Sequence, residues 1–350
     1  MHHSPDPQTT HTELIGRDAE LTQLDTLLTT CRLVTLTGPA GVGKTALARA
    51  CGSLTRPPTV VSLDMLDLPE QVPGRLAAGL MTAAERPMLV LDACEGAAGV
   101  SARLAGSLLA AVPGLRIVAT GRERLGIPGE AVLPIRPLEL PPPGRPLDGG
   151  RRSAAAELLA RRSGPGFTLG NGREEEAAAL CRAVGGLPLG IELAARLTGS
   201  IPLAELRARI EADPLGVLVS EPGDGPVGSA GTGHPRHESM LASIGWSHQL
   251  CQPAERLLWA RLSVFGGEIS YEAAEYVCAD AHLRAPGLRD VLHRLEARSV
   301  LSADDRPDGT YWQLPVLYRS YGRRWLTRLG EDASLRRRHA HYTRTLLPGA

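Results

Sequence analysis

The chain has 350 residues, 43% of them apolar and 22% charged, with 38 basic side chains balanced by 38 acidic ones. That composition is globular, long enough for two or three domains with cores of their own, and without a global field drawing the chain to nucleic acid or membrane. Six scattered cysteines with no CxxC pair, and no apolar run of membrane-spanning or signal-peptide type, argue against a disulfide scaffold, a zinc cluster or an anchor, and lead to the expectation of a reducing, cytoplasmic setting.

Residues 1–13 are polar, contain Pro5 and Pro7, and are expected to be disordered. Leu14-Ile15-Gly16-Arg17 then leads into an amphipathic helix on which Leu21, Leu24, Leu27 and Leu28 recur at helical spacing. Strand-prone Leu33 to Thr37 runs into Gly38-Pro39-Ala40-Gly41-Val42-Gly43-Lys44-Thr45, the spacing of a Walker A phosphate loop. Glycines at 38, 41 and 43 let the backbone fold tightly so that its N–H groups face phosphate oxygens. Lys44 is expected to reach the β and γ phosphates, and the Thr45 hydroxyl to ligate Mg²⁺. Lys44 is also the only lysine of the chain; every other basic residue is an arginine. A helix from Thr45 follows, so Gly38, Gly41, Val42, Gly43, Lys44, Thr45 and Ala46 are the expected contacts of a bound ATP or ADP.

Thr59 to Leu63 reads as a second strand and Glu70 to Ala84 as a helix. Met88-Leu89-Val90-Leu91-Asp92 is a continuous apolar run ending in an acid, the pattern of a strand buried on both faces of a parallel sheet. Asp92 is accordingly expected to hold Mg²⁺ opposite Thr45; the competing reading is a helix-capping aspartate. A helix over Leu104 to Ala111 and a strand over Leu115 to Thr120 come next, and Arg122 leaves the end of that strand. Ligands of parallel sheets sit beyond the carboxyl ends of strands, so Arg122 is expected to meet a terminal phosphate, the alternative being a surface arginine in a turn. With a fifth strand over Ala131 to Ile135, strands alternating with helices predict a doubly wound α/β sheet.

Pro137 to Gly150 reads as a linker. Ser153 to Leu197 is Ala-, Leu- and Arg-rich with helical periodicity, interrupted by Gly185-Gly186-Leu187-Pro188-Leu189, and Leu203 to Ile210 adds a helix. Glu221 to Pro235 is rich enough in Gly, Pro and Ser to read as a flexible loop. In the last third, helices beginning at Pro253, Tyr271 and Gly287 precede two short strands, Val300 to Ser302 and Tyr311 to Leu314, that flank an Asp308-Gly309 turn. Helices followed by a two-stranded ribbon outline a winged helix, and two helices close the chain. The predicted organisation is a nucleotide-binding domain over 14–150, a helical domain over 151–218, a linker over 219–235, a winged helix over 236–315 and C-terminal helices over 316–350.

In this order the pieces resemble the NB-ARC-type STAND ATPase module of bacterial SARP- and LuxR-type transcriptional regulators, from about Leu14 to Tyr342. Ile15-Gly16-Arg17 is similar to the family's adenine-side motif, Leu33 to Thr45 to its phosphate loop, and Leu89 to Glu95 to its Walker B stretch. Ala119 to Glu130 is similar to its sensor stretch, and Gly186-Leu187-Pro188-Leu189 to its GLPL motif. Arg236-His237, Ile244 to Ser247, Leu262 to Phe265 and the region of Tyr321 resemble winged-helix landmarks.

The resemblance implies an ATP- or ADP-dependent switch with Mg²⁺ as cofactor, in which Pro188 packs on adenine, Arg122 senses the γ-phosphate and His237 approaches the nucleotide. It departs from the family at Ala93, where an Asn is usual, and at Gly121, where a Ser is usual. Ala93 cannot polarise water and Glu95 lies two residues farther on, so slow or absent hydrolysis is expected. The DNA-binding and repeat segments of relatives are not found before Leu14 or up to Ala350, so output is expected through a protein partner, through self-association or through domains beyond this sequence. Two alternatives stand beside the switch: a working ATPase, and a winged helix that itself reads DNA. Eight arginines against two acids between Val316 and Arg344 suit phosphate backbones. The mixed charge of Leu288 to Ser299 makes sequence-specific DNA binding by this chain alone an outcome that is not expected.

Overall fold

The structure, a computed structural model, describes residues 14–51, 59–62, 72–83, 87–140, 153–164, 167–169, 173–220 and 239–346. The expected disordered start, most of the 137–150 linker, the 221–235 loop and His237 lie outside the described residues.

Five apolar strands form a parallel sheet: β1 (Leu33–Thr37), β2 (Thr59–Ser62), β3 (Met88–Asp92), β4 (Arg116–Thr120) and β5 (Glu130–Pro134). Their order across the sheet is β2-β3-β4-β1-β5, so β4 separates β1 from β3. Side chains alternate between the faces at period two. Val34, Leu36, Val90 and Val118 meet Leu24 and Leu28 of α1 (Asp18–Thr30) and Leu47 of α2 (Lys44–Ala50) in one core. Leu33, Leu89, Leu91, Ile117 and Ala119 meet Ala77 and Leu80 of α3 (Val72–Ala83) and Leu104 and Leu108 of α4 (Ala98–Ala111) in another. This two-sided burial is the physical content of the uninterrupted apolar strands, and it bears out the α/β reading. The helix expected from Leu104 begins earlier, at Ala98, because the short 3₁₀ turn Cys94–Ala97 after β3 feeds directly into it.

Beyond the sheet stand α5 (Ala154–Arg162), α6 (Glu174–Ala183), α7 (Pro188–Leu197), α8 (Leu203–Ala212) and the single turn α9 (Pro214–Val217). Gly185 and Gly186, both at φ +67, make the sharp turn between α6 and α7, and Pro188 occupies the first turn of α7, where its missing N–H costs nothing. The final part comprises α10 (Met240–Leu250), α11 (Pro253–Leu262), β6 (Glu268–Ile269), α12 (Tyr271–Cys278), α13 (Ala285–Ala297), β7 (Ser302–Arg306), β8 (Gly309–Gln313), α14 (Val316–Arg328) and α15 (Asp332–Leu346). β6, β8 and β7 form an antiparallel sheet in that order. The β7–β8 ribbon is longer than the sequence suggested: Arg306 pairs with Gly309 across a two-residue turn at Pro307 and Asp308. Cross-strand pairing down to the turn extends charged residues that no apolar pattern marks. Among the described residues no helix is long and apolar enough to cross a membrane.

One core runs from the α1 face of the sheet through α5–α8 into this C-terminal part. There His248 stacks on Trp325 at 4.6 Å and lies against Trp259 and Tyr321, joining α10, α11 and α14. Burial, with the Arg256 charge adding to it, pushes the His248 imidazole down from 6.5 to about 4. The folded protein then binds this proton more weakly than the unfolded chain does. The contribution is whole above about pH 6.5 and is lost as pH falls towards about 4. Denaturant unfolding at pH 7 and pH 4.5 should show a shallower acid-side loss of stability for His248→Phe than for the parent protein.

Candidate nucleotide site

The loop from Gly38 to Thr45 leaves β1 and turns into α2 at the carboxyl edge of the sheet. Gly38, Gly41 and Gly43 adopt φ of +148, +73 and +96. At two of them space is as restrictive as backbone angle. A Cβ on Gly38 would lie 2.5 Å from the Ile135 carbonyl oxygen, and one on Gly41 would lie 2.8 Å from the Leu189 Cβ. The close approach of α7 is held by a bond from the Leu189 N–H to the Gly41 carbonyl at 3.0 Å. Pro188, expected on the adenine side, lies beside the loop, its Cγ 3.9 Å from where a Gly43 Cβ would be. The Lys44 ammonium donates across the loop to the carbonyls of Gly38 at 2.8 Å and Pro39 at 3.0 Å. Val42 is fully buried and Ala46 is half-buried in the first turn of α2.

Asp92 ends β3 and is 2% exposed. Its Oδ1 accepts from the Thr45 hydroxyl at 2.7 Å and from the Thr120 hydroxyl at 2.5 Å, and the Thr120 oxygen in turn accepts from the Ala93 N–H at 3.0 Å. Thr120 reaches this position because β4 lies between β1 and β3. Sequence reasoning placed it only inside the sensor stretch, since the strand order is invisible in a linear pattern. Hydroxyl and carboxylate oxygens are the hard donors that Mg²⁺ takes, usually alongside water and substrate phosphate, so Thr45 and Asp92 suit that ion. Cys94 follows in the 3₁₀ turn, and burial pushes its thiol up to about 12, which leaves it a neutral core group.

Arg122 leaves β4 but turns into the protein, 5% exposed. Its Nε lies 3.3 Å from Glu95 Oε1, its Nη1 donates to the Ser247 hydroxyl, and its Nη2 donates to the Ser243 carbonyl at 3.2 Å. The Arg122 carbonyl accepts from the Ser299 hydroxyl at 2.7 Å. Arg122 is thus bonded from α10 through its side chain and from Ser299, two residues past α13, through its backbone. No periodicity or motif could have marked Ser243, Ser247 or Ser299 as its partners. Glu95 is 8% exposed at the side chain, and among the described residues its Oε2 has no hydrogen-bond donor.

The amino-terminal motif braces the loop. Arg17, 4% exposed, donates through Nη2 to the carbonyls of Val42 at 3.0 Å and Arg136 at 2.9 Å, and pairs with Glu20. Gly16, at φ +67, has Ala154 where a Cβ would sit, only 2.2 Å away, and Ile15 packs against the core. Among the described residues no group of His, Cys, Asp or Glu forms a further metal site.

A buried N–H left without an acceptor costs about 1–3 kcal/mol. Thr120→Val keeps the shape of the side chain but strands the Ala93 N–H, so denaturant unfolding should show a loss of roughly that size.

Residues 13–163 match the AAA ATPase domain family. The chain is 32% identical over 294 residues to "Uncharacterized protein Rv0894" of Mycobacterium tuberculosis, an alignment that covers 77% of the chain and 70% of that protein. It is also 32% identical over 341 residues to "Putative HTH-type transcriptional regulator Rv0890c" of the same organism, covering 90% of the chain and 36% of that protein. The chain thus spans little more than a third of the length of this longer relative. Among solved structures, the Walker-type ATPase PABY2304 of Pyrococcus abyssi superposes with a TM-score of 0.53 at 15% identity, covering 92% of the chain and 99% of that protein, a likeness of fold. The chain belongs to the same family as the mycobacterial protein Rv0894, and its residues 13–163 match the AAA ATPase domain.

Proposed function

We propose that this chain is an ATP- or ADP-dependent signal-transduction switch of the NB-ARC/STAND type, acting in transcriptional control through a protein partner, through self-association or through segments of the kind its longer relatives carry. The observation that carries the reading is Arg122. A residue at the carboxyl end of a central strand, beside the Walker B aspartate, spends its side chain and its carbonyl on α10 and on Ser299. A nucleotide whose terminal phosphate competes for that guanidinium binds the two arrangements of the C-terminal part unequally, and unequal affinity is what shifts a population.

The order α11, β6, α12, α13, β7, β8 supports a winged helix over 236–315, following a nucleotide-binding part over 14–150 and a helical part over 151–218. In this reading the winged helix is a closing element and not a reader of DNA. Arg294 of α13 and Arg298, just after it, both pair with the fully buried Glu255, at 3.0 and 3.1 Å, and Arg298 also lies 3.9 Å from Glu123. Arg289 covers the Tyr271 ring. Arginines engaged in this way would have to give up these contacts to reach base edges. His237 belongs to the proposed nucleotide contacts through the resemblance alone. Six free cysteines, five of them buried, suit the reducing cytoplasm proposed for it.

Loss of a charge-assisted contact to phosphate is worth about 1.5–3 kcal/mol. Isothermal calorimetry should therefore show Mg²⁺-dependent ADP and ATP binding that Lys44→Ala weakens by roughly ten- to a hundredfold. Phosphate release should stay below about 1 s⁻¹, the lower end of kinase turnover, because residue 93 carries no acid. Binding indifferent to Lys44 removes the nucleotide site, and fast turnover abolished by Asp92→Ala replaces the switch with a working ATPase.

A separate measurement addresses the switch itself. Hydrogen exchange in residues 240–250 should be faster with a non-hydrolysable ATP analogue than with ADP, and Arg122→Ala should make exchange fast with either. Equal protection in the two nucleotide states of the parent protein would leave a nucleotide-binding protein without a switch.

A further inference from the structure

Tyr318 lies 278 residues after Ala40, in the first turn of α14, yet its hydroxyl accepts the Ala40 N–H at 2.6 Å. It is fully buried. Its ring stacks on Trp259 of α11 at 5.4 Å and 19°, and the Trp259 indole N–H donates to the Tyr318 carbonyl at 2.9 Å. The hydroxyl is therefore aimed from a rigid seat. Beside it, Val316 and Leu317 lie against Gly185 and Gly190, 3.9 and 3.6 Å from where their Cβ atoms would be, which docks the start of α14 on the turn leading into α7. α7 in turn bonds the next residue of the loop, through the Leu189 N–H and the Gly41 carbonyl. Two consecutive phosphate-loop residues are thus bonded from outside the sheet, one through its N–H and one through its C=O.

We propose that Tyr318 is a positioning residue for the phosphate loop, coupling the seating of α14 to nucleotide affinity through the Ala40 amide. The proposal rests on the nucleotide reading of the loop and adds to it the residue by which the C-terminal part regulates that site. The reason is the cost of a buried amide. A loop without bound phosphate can relax until water reaches the Ala40 N–H, whereas a loop held around phosphates cannot, and then needs the hydroxyl. The penalty for losing the hydroxyl therefore falls mainly on the loaded state. Linkage makes the effect reciprocal: nucleotide that orders the loop also holds α14 in place.

Tyr318→Phe keeps the ring and removes the acceptor. Calorimetry with ADP is expected to show affinity reduced about tenfold, equivalent to 1.4 kcal/mol. In nucleotide-free protein, hydrogen exchange in residues 38–45 is expected to rise about tenfold while exchange in residues 88–92 of β3 stays unchanged. In the parent protein ADP should slow exchange in residues 316–328, and in Tyr318→Phe it should do so much less. ADP affinity equal to that of the parent overturns the proposal, as does unaltered exchange in the loop. A uniform rise that includes β3 also overturns it, since that is plain destabilisation. Should the parent protein bind no ADP, the nucleotide reading fails by itself, and the nucleotide-free exchange still decides whether Tyr318 holds the loop.

Discussion

A buried carboxylate must be met by donors, and at Asp92 this requirement ties three elements together. Its Oδ1 accepts one hydroxyl from the helix after the phosphate loop and one from the end of β4, while the β4 hydroxyl receives the N–H of the residue after Asp92 itself. Each donor comes from a different strand connection, so the carboxyl edge of the sheet is registered laterally by side chains as well as by the backbone ladder. Water-excluded hydrogen bonds of this kind are costly to leave unmade, which makes the arrangement specific. The same oxygens are those a magnesium ion would take, so the structural and chemical demands on Asp92 coincide.

From that edge the chain builds outward in two directions. The phosphate loop is gripped by α7 through Leu189 and by α14 through Tyr318, and braced by Arg17 through the Val42 carbonyl. The end of β4 is gripped by α10 and Ser299 through Arg122. Both grips come from residues that follow the sheet in sequence, and one continuous core lies beneath them. A change at the phosphate loop or at the β4 end therefore has a mechanical route into the C-terminal part, along packed helices and hydrogen bonds. The buried Arg122–Glu95 ion pair lies in the joint between the β4 end and the C-terminal part.

Some of the sequence's own oddities acquire a physical meaning here. Ala93, where the resemblance leads one to expect an Asn, adopts a left-handed conformation, φ +63, that turns the chain straight into the 3₁₀ segment. That turn carries Glu95 towards Arg122 and away from a role beside Asp92. Ser299, the other non-glycine residue with positive φ among those described, is the one whose hydroxyl reaches the Arg122 carbonyl. Strained backbone at these two places lies on both sides of the same joint.

What the sequence by itself determined is local. Glycine spacing before a lone lysine, apolar runs ending in an acid, and alternating strands and helices encode the phosphate loop, Asp92 and the parallel sheet, because each depends on residues close together in the chain. The helix start at Pro253 was legible for the same reason, whereas the stretch around Pro188 read only as an interruption of helical periodicity. Only tertiary structure decided the strand order that brings Thr120 to Asp92, the turn of Arg122 into α10, and the seat of Tyr318 on Ala40. These contacts join residues 28 to 278 positions apart, and each partner taken singly is an ordinary threonine, serine or tyrosine. A hydrogen bond is specified by where two backbones are carried, and no pattern along the chain records that until the core has closed.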